Sequence, residues 1–160
     1  MICCESPVNN ICRLVNRLLE PIYTRVALKH TFFKGADAVQ ALRACMGKGH
    51  LRSTTLFARL HVKHILTIFS HEQAIQIVQR FLDDHVPTKD IQGMSIATII
   101  QLIRVVLANQ WFVYNDNLYR QVHGGGSGLP LMSVLVNIIL FDWEKEFVTY
   151  LQNKNEVFGR

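Results

Sequence analysis

The sequence predicts an α+β fold in which helices pack on an antiparallel sheet. Apolar residues recur at helical spacing in several separate segments, and two other segments have the alternation that is typical of strands. These two are Leu56–Val62 and a hairpin that begins at Trp111. At 160 residues the chain is long enough to bury one core, so we expect a single domain over residues 1–160.

Composition narrows the class of protein. Hydrophobic residues make up 49% of the chain, which argues against disorder. No apolar run reaches the ~18 residues of a membrane span, and Met1-Ile-Cys-Cys-Glu5 lacks the features of a signal peptide, so we expect no membrane association and an intracellular location in the nucleus or cytoplasm. The 17 basic and 12 acidic residues leave a net charge of +5, which suits a polyanionic partner without requiring one.

The cysteines do not form a metal-binding pattern. Cys3, Cys4, Cys12 and Cys45 include no Cys-x-x-Cys pair, so free thiols are expected in preference to a zinc site.

Two helices are predicted in the first part of the chain. The first begins at Ser6-Pro7, runs to about Glu20, and is bent or ended by Pro21. A second, short helix around Ala38–Cys45 ends at Gly47-Lys48-Gly49. The expected buried face of the first helix consists of Ile11, Leu14, Val15, Leu18, Leu19 and Ile22.

Two further helices are predicted between residues 70 and 107. Ser70 and Gln73 form a capping box at the start of one, which continues to about Asp84. Lys89–Gly93 is predicted to be a loop, and Ser95 to cap the next helix. The residues expected to be buried are Ala74, Ile75, Val78, Phe81, Leu82, Ile96, Ile99, Ile100, Ile103, Val106 and Leu107.

The alternation in Leu56–Val62 predicts a half-buried strand. Apolar residues occupy every second position, and Phe57, Arg59 and His61 occupy the positions between them.

The segment after Trp111 predicts a hairpin, a loop and a buried helix. Trp111–Tyr114 and Leu118–Val122 flank three residues, Asn115 to Asn117, that tolerate left-handed turns. The loop Gly124-Gly125-Gly126-Ser127-Gly128 has few side chains to keep a large, flat ligand from its backbone. Pro130 suits the first turn of a helix, and Leu131–Phe141 is apolar nearly all round, which indicates burial.

This segment also carries a recognisable motif: Tyr119-x-Gln121-x-x-Gly124-Gly125-x-x-Gly128-x-Pro130-Leu131, then Asn137-Ile138 and Trp143-Glu144. It resembles the template-and-nucleotide loop of reverse transcriptases, with Penelope-like retroelements the nearest in character. The resemblance covers roughly Cys3 to Arg160. It implies a partial reverse-transcriptase palm with part of the fingers, in which helices pack on an incomplete antiparallel sheet and the Leu56–Val62 strand lies beside the hairpin.

The resemblance implies roles for particular residues. Gln121, Gly124, Gly125 and Gly128 match positions that bind nucleotide and template, and the strand face of Tyr119, Gln121 and His123 points towards them. Leu60–Thr67 resembles the first catalytic motif, where Leu66 matches an aromatic residue that packs under the sugar. The implied activity is RNA-directed DNA polymerisation, with a nucleic-acid template-primer as partner and Mg²⁺ as cofactor.

Two positions depart from the catalytic motif. His61 occupies the position that matches the catalytic aspartate of the motif, and Leu66 occupies the position of the aromatic residue. Because Mg²⁺ prefers carboxylate oxygens, His61 is a poor catalytic residue, and we expect no Mg²⁺ to be bound. A metal site formed by His61, His64 and His71 is an alternative. Phe158-Gly159-Arg160 resembles the tripeptide before the Tyr-x-Asp-Asp motif, so the chain is expected to stop before the other catalytic carboxylates.

Several functions remain open from the sequence. The first is a degenerate or truncated retroelement product, an inactive fragment of an RNA-directed DNA polymerase. The second is a non-catalytic nucleic-acid-binding module that uses Gln121 and the Gly124–Gly128 loop. The third is one piece of an active polymerase whose catalytic motif lies beyond Arg160. A nucleotide binder with a phosphate loop is less favoured, because the expected lysine and its Ser/Thr neighbour are missing.

Overall fold

The computed structural model describes residues 8–28, 30–32, 34–154 and 156–160. Within these residues it contains five helices and two small antiparallel sheets, so the predicted α+β class is confirmed. The elements, in chain order, are α1 (Asn9–Ala27), α2 (Gly35–Gly47), α3 (His71–His85), β1 (Asp90–Ile91), β2 (Met94–Ser95), α4 (Ile96–Ala108), β3 (Trp111–Tyr114), β4 (Asn117–Arg120) and α5 (Pro130–Asn153).

The chain divides into two compact units. Of the described residues, those up to Val26 and those of Lys63–Trp143 form one unit, and those of Ala27–Val62 and of Glu144–Arg160 form the other. In the second unit, the Arg160 guanidinium lies 2.9 Å from the carboxylate of Glu144. The backbone N–H of Arg160 also donates to the carbonyl of His30 over 2.7 Å.

Helix α1 buries most of the predicted face and is longer than predicted. Val15, Leu18, Leu19 and Ile22 are buried, whereas Ile11 and Leu14 are half-buried. Pro21 lies inside the helix and does not end it, so the predicted end near Glu20 was wrong. A proline removes one helical hydrogen bond, but burial of the apolar residues in the last two turns offsets that loss. The predicted start at Ser6-Pro7 lies outside the described residues.

Helices α3 and α4 form the centre of the first unit and pack against each other. The Ser70 hydroxyl accepts a hydrogen bond from the Gln73 N–H, which completes the predicted capping box. Ser95 caps α4 in the same way, through the N–H of Thr98. Every residue predicted to be buried in these two helices is buried.

A short hairpin replaces the loop predicted at Lys89–Gly93. Strands β1 and β2 pair Asp90 with Ser95 and Ile91 with Met94, around a turn in which Gln92 and Gly93 both have positive φ. Each strand has two residues, which is too short for alternation to be visible in the sequence.

The strand predicted at Leu56–Val62 is wrong. Residues 56–62 have no regular secondary structure, and the side chains of Leu56 and Phe57 are 92% and 77% exposed. Alternation stabilises a strand only where a partner supplies hydrogen bonds and a surface to cover. The sheet formed by β3 and β4 has two strands, so the predicted pairing of Leu56–Val62 with it is absent.

The second hairpin and the last helix are present, with changed bounds. The second strand is Asn117–Arg120 and not Leu118–Val122, so Asn117 belongs to the strand and Gln121 follows it. Strands β3 and β4 pair Trp111 with Arg120 and Tyr114 with Asn117. The turn is therefore two residues long, Asn115 and Asp116, each with positive φ as a primed turn requires. Pro130 is the first residue of α5, in which Leu131, Leu135 and Ile138 are fully buried. The core of the first unit is thus made by helices, and β3–β4 is largely exposed.

Candidate functional site

The glycine loop is held against the segment that precedes α3. The N–H of Gly124 donates to the carbonyl of Phe69 over 2.8 Å, and the N–H of Gly125 donates to the carbonyl of Leu66 over 2.7 Å. Ser70 and His123 form an isolated antiparallel bridge beside them. The structure therefore brings together three residues with predicted binding roles, namely Leu66, Gly124 and Gly125.

The side chain of His71 also holds the glycine loop, through a hydrogen bond to Gly124. Its Nε2 lies 2.9 Å from the carbonyl oxygen of Gly124, so the ring donates through Nε2–H. Burial lowers the pKa of His71 below its ordinary value, the bond to Gly124 opposes this, and the nearby His123 lowers it further. The neutral ring is thus favoured, and it anchors the loop as an uncharged donor.

The buried side chain of Gln110 also holds the glycine loop. It follows the end of α4 and is only 3% exposed. Its Oε1 accepts a hydrogen bond from the N–H of Gly126 over 2.6 Å, and its Nε2 donates to the carbonyl of Leu107 over 3.4 Å. A buried amide satisfied at both ends holds the loop backbone in one position.

Gly124 and Gly125 lack side chains at positions where other residues of the chain occupy the space. Gly124 has φ +64°, and a Cβ there would collide with the carbonyl oxygen of Leu66. A Cβ at Gly125 would overlap the side chain of Met132. The three residues Gly124–Gly126 are buried, whereas Ser127 and Gly128 are exposed. The backbone that a large ligand could reach is therefore the second half of the loop.

Gln121 connects the hairpin to the loop. Its backbone N–H donates to the carbonyl of Gln110 over 2.8 Å, and its side-chain Nε2 donates to the carbonyl of His123 over 2.9 Å. Its side chain is partly exposed, so the Oε1 acceptor is the part of the amide that the bond to His123 does not use. Tyr119, two residues earlier and within β4, is 44% exposed.

The hairpin that precedes the loop carries exposed aromatic rings and a cation. Tyr114 is 63% exposed and Trp111 is 47% exposed. The rings of Phe112 and Tyr119 stack with centroids 5.6 Å apart, and the Arg120 guanidinium lies 5.8 Å from the centroid of the Trp111 ring. Such rings offer flat, apolar surfaces on which unpaired bases stack.

The predicted catalytic position lacks the chemistry for Mg²⁺. His61 is exposed and lies in the irregular segment before Lys63. Its imidazole is a poor ligand for a hard cation, and no group of three or more His, Cys, Asp or Glu side chains within the described ranges could hold a metal ion. His71, one member of the alternative metal site at His61, His64 and His71, has its Nε2 bonded to the carbonyl of Gly124.

Sequence reasoning missed the residues that position the loop. The sequence pattern predicts no role for Gln110, and it predicts for His71 only a place in a metal site. The available signal is a glutamine two residues after the end of the apolar helix α4 and directly before a strand. A polar side chain at such a junction is well placed to pair with a loop backbone, but its partner was identifiable only in three dimensions.

Comparison with protein families, curated proteins and solved structures found no significant match to this chain. Among the described residues, no helix is both long enough and apolar enough to cross a bilayer.

Proposed function

We propose that this chain is a catalytically inactive fragment of an RNA-directed DNA polymerase domain, of the reverse-transcriptase type found in Penelope-like retroelements, and that it retains a binding site for single-stranded nucleic acid. The observation that carries the proposal is the pairing of the glycine loop with residues 66–71. In the family that the sequence resembles, both segments belong to the pocket for nucleotide and template. In this chain the hydrogen bonds between the glycine loop and residues 66–71 join segments that are far apart in sequence.

The surface around the loop suits unpaired nucleic acid. Ser127 and Gly128 leave loop backbone exposed, and the hairpin that precedes the loop presents Trp111, Tyr114 and Arg120. Bases stack on aromatic rings whatever their identity, and arginine supplies both charge and a planar surface. Binding should therefore be independent of sequence and weakened by salt, as the net charge of +5 also favours.

Inactivity follows from the residue at position 61. Polymerase chemistry positions two metal ions by carboxylates, and this chain has a histidine at the position that matches the first of them. The nucleic-acid site is thus proposed as a binding site alone. A non-catalytic module that was recruited from such a domain would have the same surface, and it is the second candidate function.

The test measures the binding of a fluorescently labelled 12-nucleotide RNA and of the matching DNA. Fluorescence polarisation gives the affinity at several salt concentrations. Tyr114→Ala should weaken binding by roughly fivefold to a hundredfold, the loss of one stacked base. Tyr150→Ala removes a ring of similar exposure from the last helix and should leave the affinity unchanged. The proposal would be overturned if the chain bound neither the RNA nor the DNA. It would also be overturned if the two substitutions reduced the affinity equally.

A second measurement addresses the inactive state. Templated primer extension with Mg²⁺ or Mn²⁺ should give no product with the unmodified chain. Extension by this chain would contradict the proposed inactivity and favour a metal site of another kind.

A further inference from the structure

An open groove of about 450 Å³ lies beside the start of α5. It is lined by Asn10, Arg13, Asn16 and Arg17 of α1 and by Pro130, the first residue of α5. All five belong to the first compact unit. The polar lining contains two cations and two amides, which are donors suited to an anion.

The two arginines are available to a ligand. Both are exposed, and within the described part of the chain neither side chain forms a salt bridge or a hydrogen bond. The nearest acid along the helix is Glu20, whose carboxylate accepts a hydrogen bond from Asn16 over 2.9 Å instead. Arg13 and Arg17 are one helical turn apart, so their side chains emerge on the same side of α1. Two unpaired guanidinium groups along one groove create a local positive field.

One residue that lines the groove follows closely after the exposed end of the glycine loop in the sequence. Gly128 and Pro130 are two residues apart, so a ligand that reaches the Ser127–Gly128 backbone is adjacent to the groove. The first turn of the 24-residue helix α5 also contributes the partial positive charge of a helix N-terminus.

We propose that Arg13 and Arg17 hold the phosphodiester backbone of a single-stranded nucleic acid as the strand leaves the glycine loop. The inference rests on the proposed function and extends it by a second contact surface. A free nucleotide shares the phosphate chemistry but also needs a surface for its base, and no aromatic ring lines the groove. An open, polar, basic groove along a helix suits a backbone that continues past it.

The test compares the unmodified chain with a double variant, Arg13→Gln with Arg17→Gln, using the labelled 12-nucleotide RNA. The control, Arg43→Gln with Lys145→Gln, removes the same net charge from exposed positions outside the groove. Loss of two phosphate contacts should reduce affinity roughly tenfold and should flatten the slope of log affinity against log salt by about 1.4. The control should change both quantities much less. A third variant, Arg13→Lys with Arg17→Lys, keeps the charge and should recover most of the salt slope.

The outcomes separate the two proposals. If the unmodified chain binds RNA and the groove variant matches the control, this inference fails and the proposed function stands. If the unmodified chain binds neither RNA nor DNA, the proposed function fails and the inference with it. Titration with inorganic pyrophosphate and with a nucleoside triphosphate distinguishes the phosphate source. Tight binding of either that depends on both arginines would overturn the assignment to a strand backbone. Circular dichroism of each variant checks that the fold is retained.

Discussion

The imidazole Nε2 of His71 lies 2.9 Å from the carbonyl oxygen of Gly124 and ties the start of helix α3 to the glycine loop. The bond depends on a neutral ring with its proton on Nε2. The same loop is bound by the carbonyls of Leu66 and Phe69 and by the buried amide of Gln110. A loop that is nearly free of side chains is therefore fixed by these hydrogen bonds, and each bond can be tested by a separate substitution.

The stability of the protein should fall as the pH is lowered through the range in which His71 titrates. Because the pKa of His71 is lowered from 6.5 in the folded chain, the unfolded chain binds the proton more readily. The contribution of His71 to the free energy of unfolding is thus present above pH 6.5 and is lost as the pH falls through the folded pKa. Urea unfolding between about pH 8 and pH 5 measures this, with His71→Gln as the reference. Parallel pH profiles for the two proteins would show that His71 has no part in the dependence.

Gly124→Ala should destabilise the protein by about 2–4 kcal/mol, because a left-handed conformation and a collision with the Leu66 carbonyl act together. Gly93→Ala is the matched control. Gly93 also has positive φ, but a Cβ there meets no atom within 4 Å, so only the conformational cost of about 1 kcal/mol applies. Thermal and denaturant unfolding of both variants gives the comparison. Equal losses at the two positions would mean that the loop does not pack against Leu66 as described.

Gln110→Leu should cost about 1–3 kcal/mol, because the N–H of Gly126 would be buried without an acceptor. Hydrogen exchange at the Gly126 amide should become faster by more than the global loss of stability explains. Gln101→Leu, an exposed position on the preceding helix, is the control and should be close to neutral. Unchanged protection of the Gly126 amide in Gln110→Leu would contradict the role assigned to Gln110.

His61→Asp should not create polymerase activity. A single carboxylate at this position cannot position two metal ions, and effects of residues that act as a unit are strongly non-additive. We expect no extension product from a primed RNA template with Mg²⁺ or Mn²⁺, and unchanged affinity for the 12-nucleotide RNA. A parallel reaction with the unmodified chain provides the baseline. Product formed by His61→Asp alone would show that the other metal ligands are already present in the chain.

The sequence alone determined those elements whose signals are local. The capping residues Ser70 and Ser95, the helical spacing of the buried residues in α3 and α4, and the turn at Asn115-Asp116 all predicted what the structure contains. Each of these signals acts between residues within a few positions of one another, so no tertiary partner is needed to read it. The same is true of Pro130 at the start of α5.

Tertiary structure decided whatever depends on a distant partner. Leu56–Val62 has the alternation of a strand but lacks regular structure, and Pro21 lies within a helix that buried residues extend beyond it. In the site, the glycines at 124 and 125 were predicted to admit a ligand, yet the space that they leave is occupied by Leu66 and Met132. The roles of His71 and Gln110 follow from hydrogen bonds to loop atoms 53 and 16 residues away. Periodicity specifies which face of an element is apolar, whereas only packing specifies what that face meets and which backbone groups it satisfies.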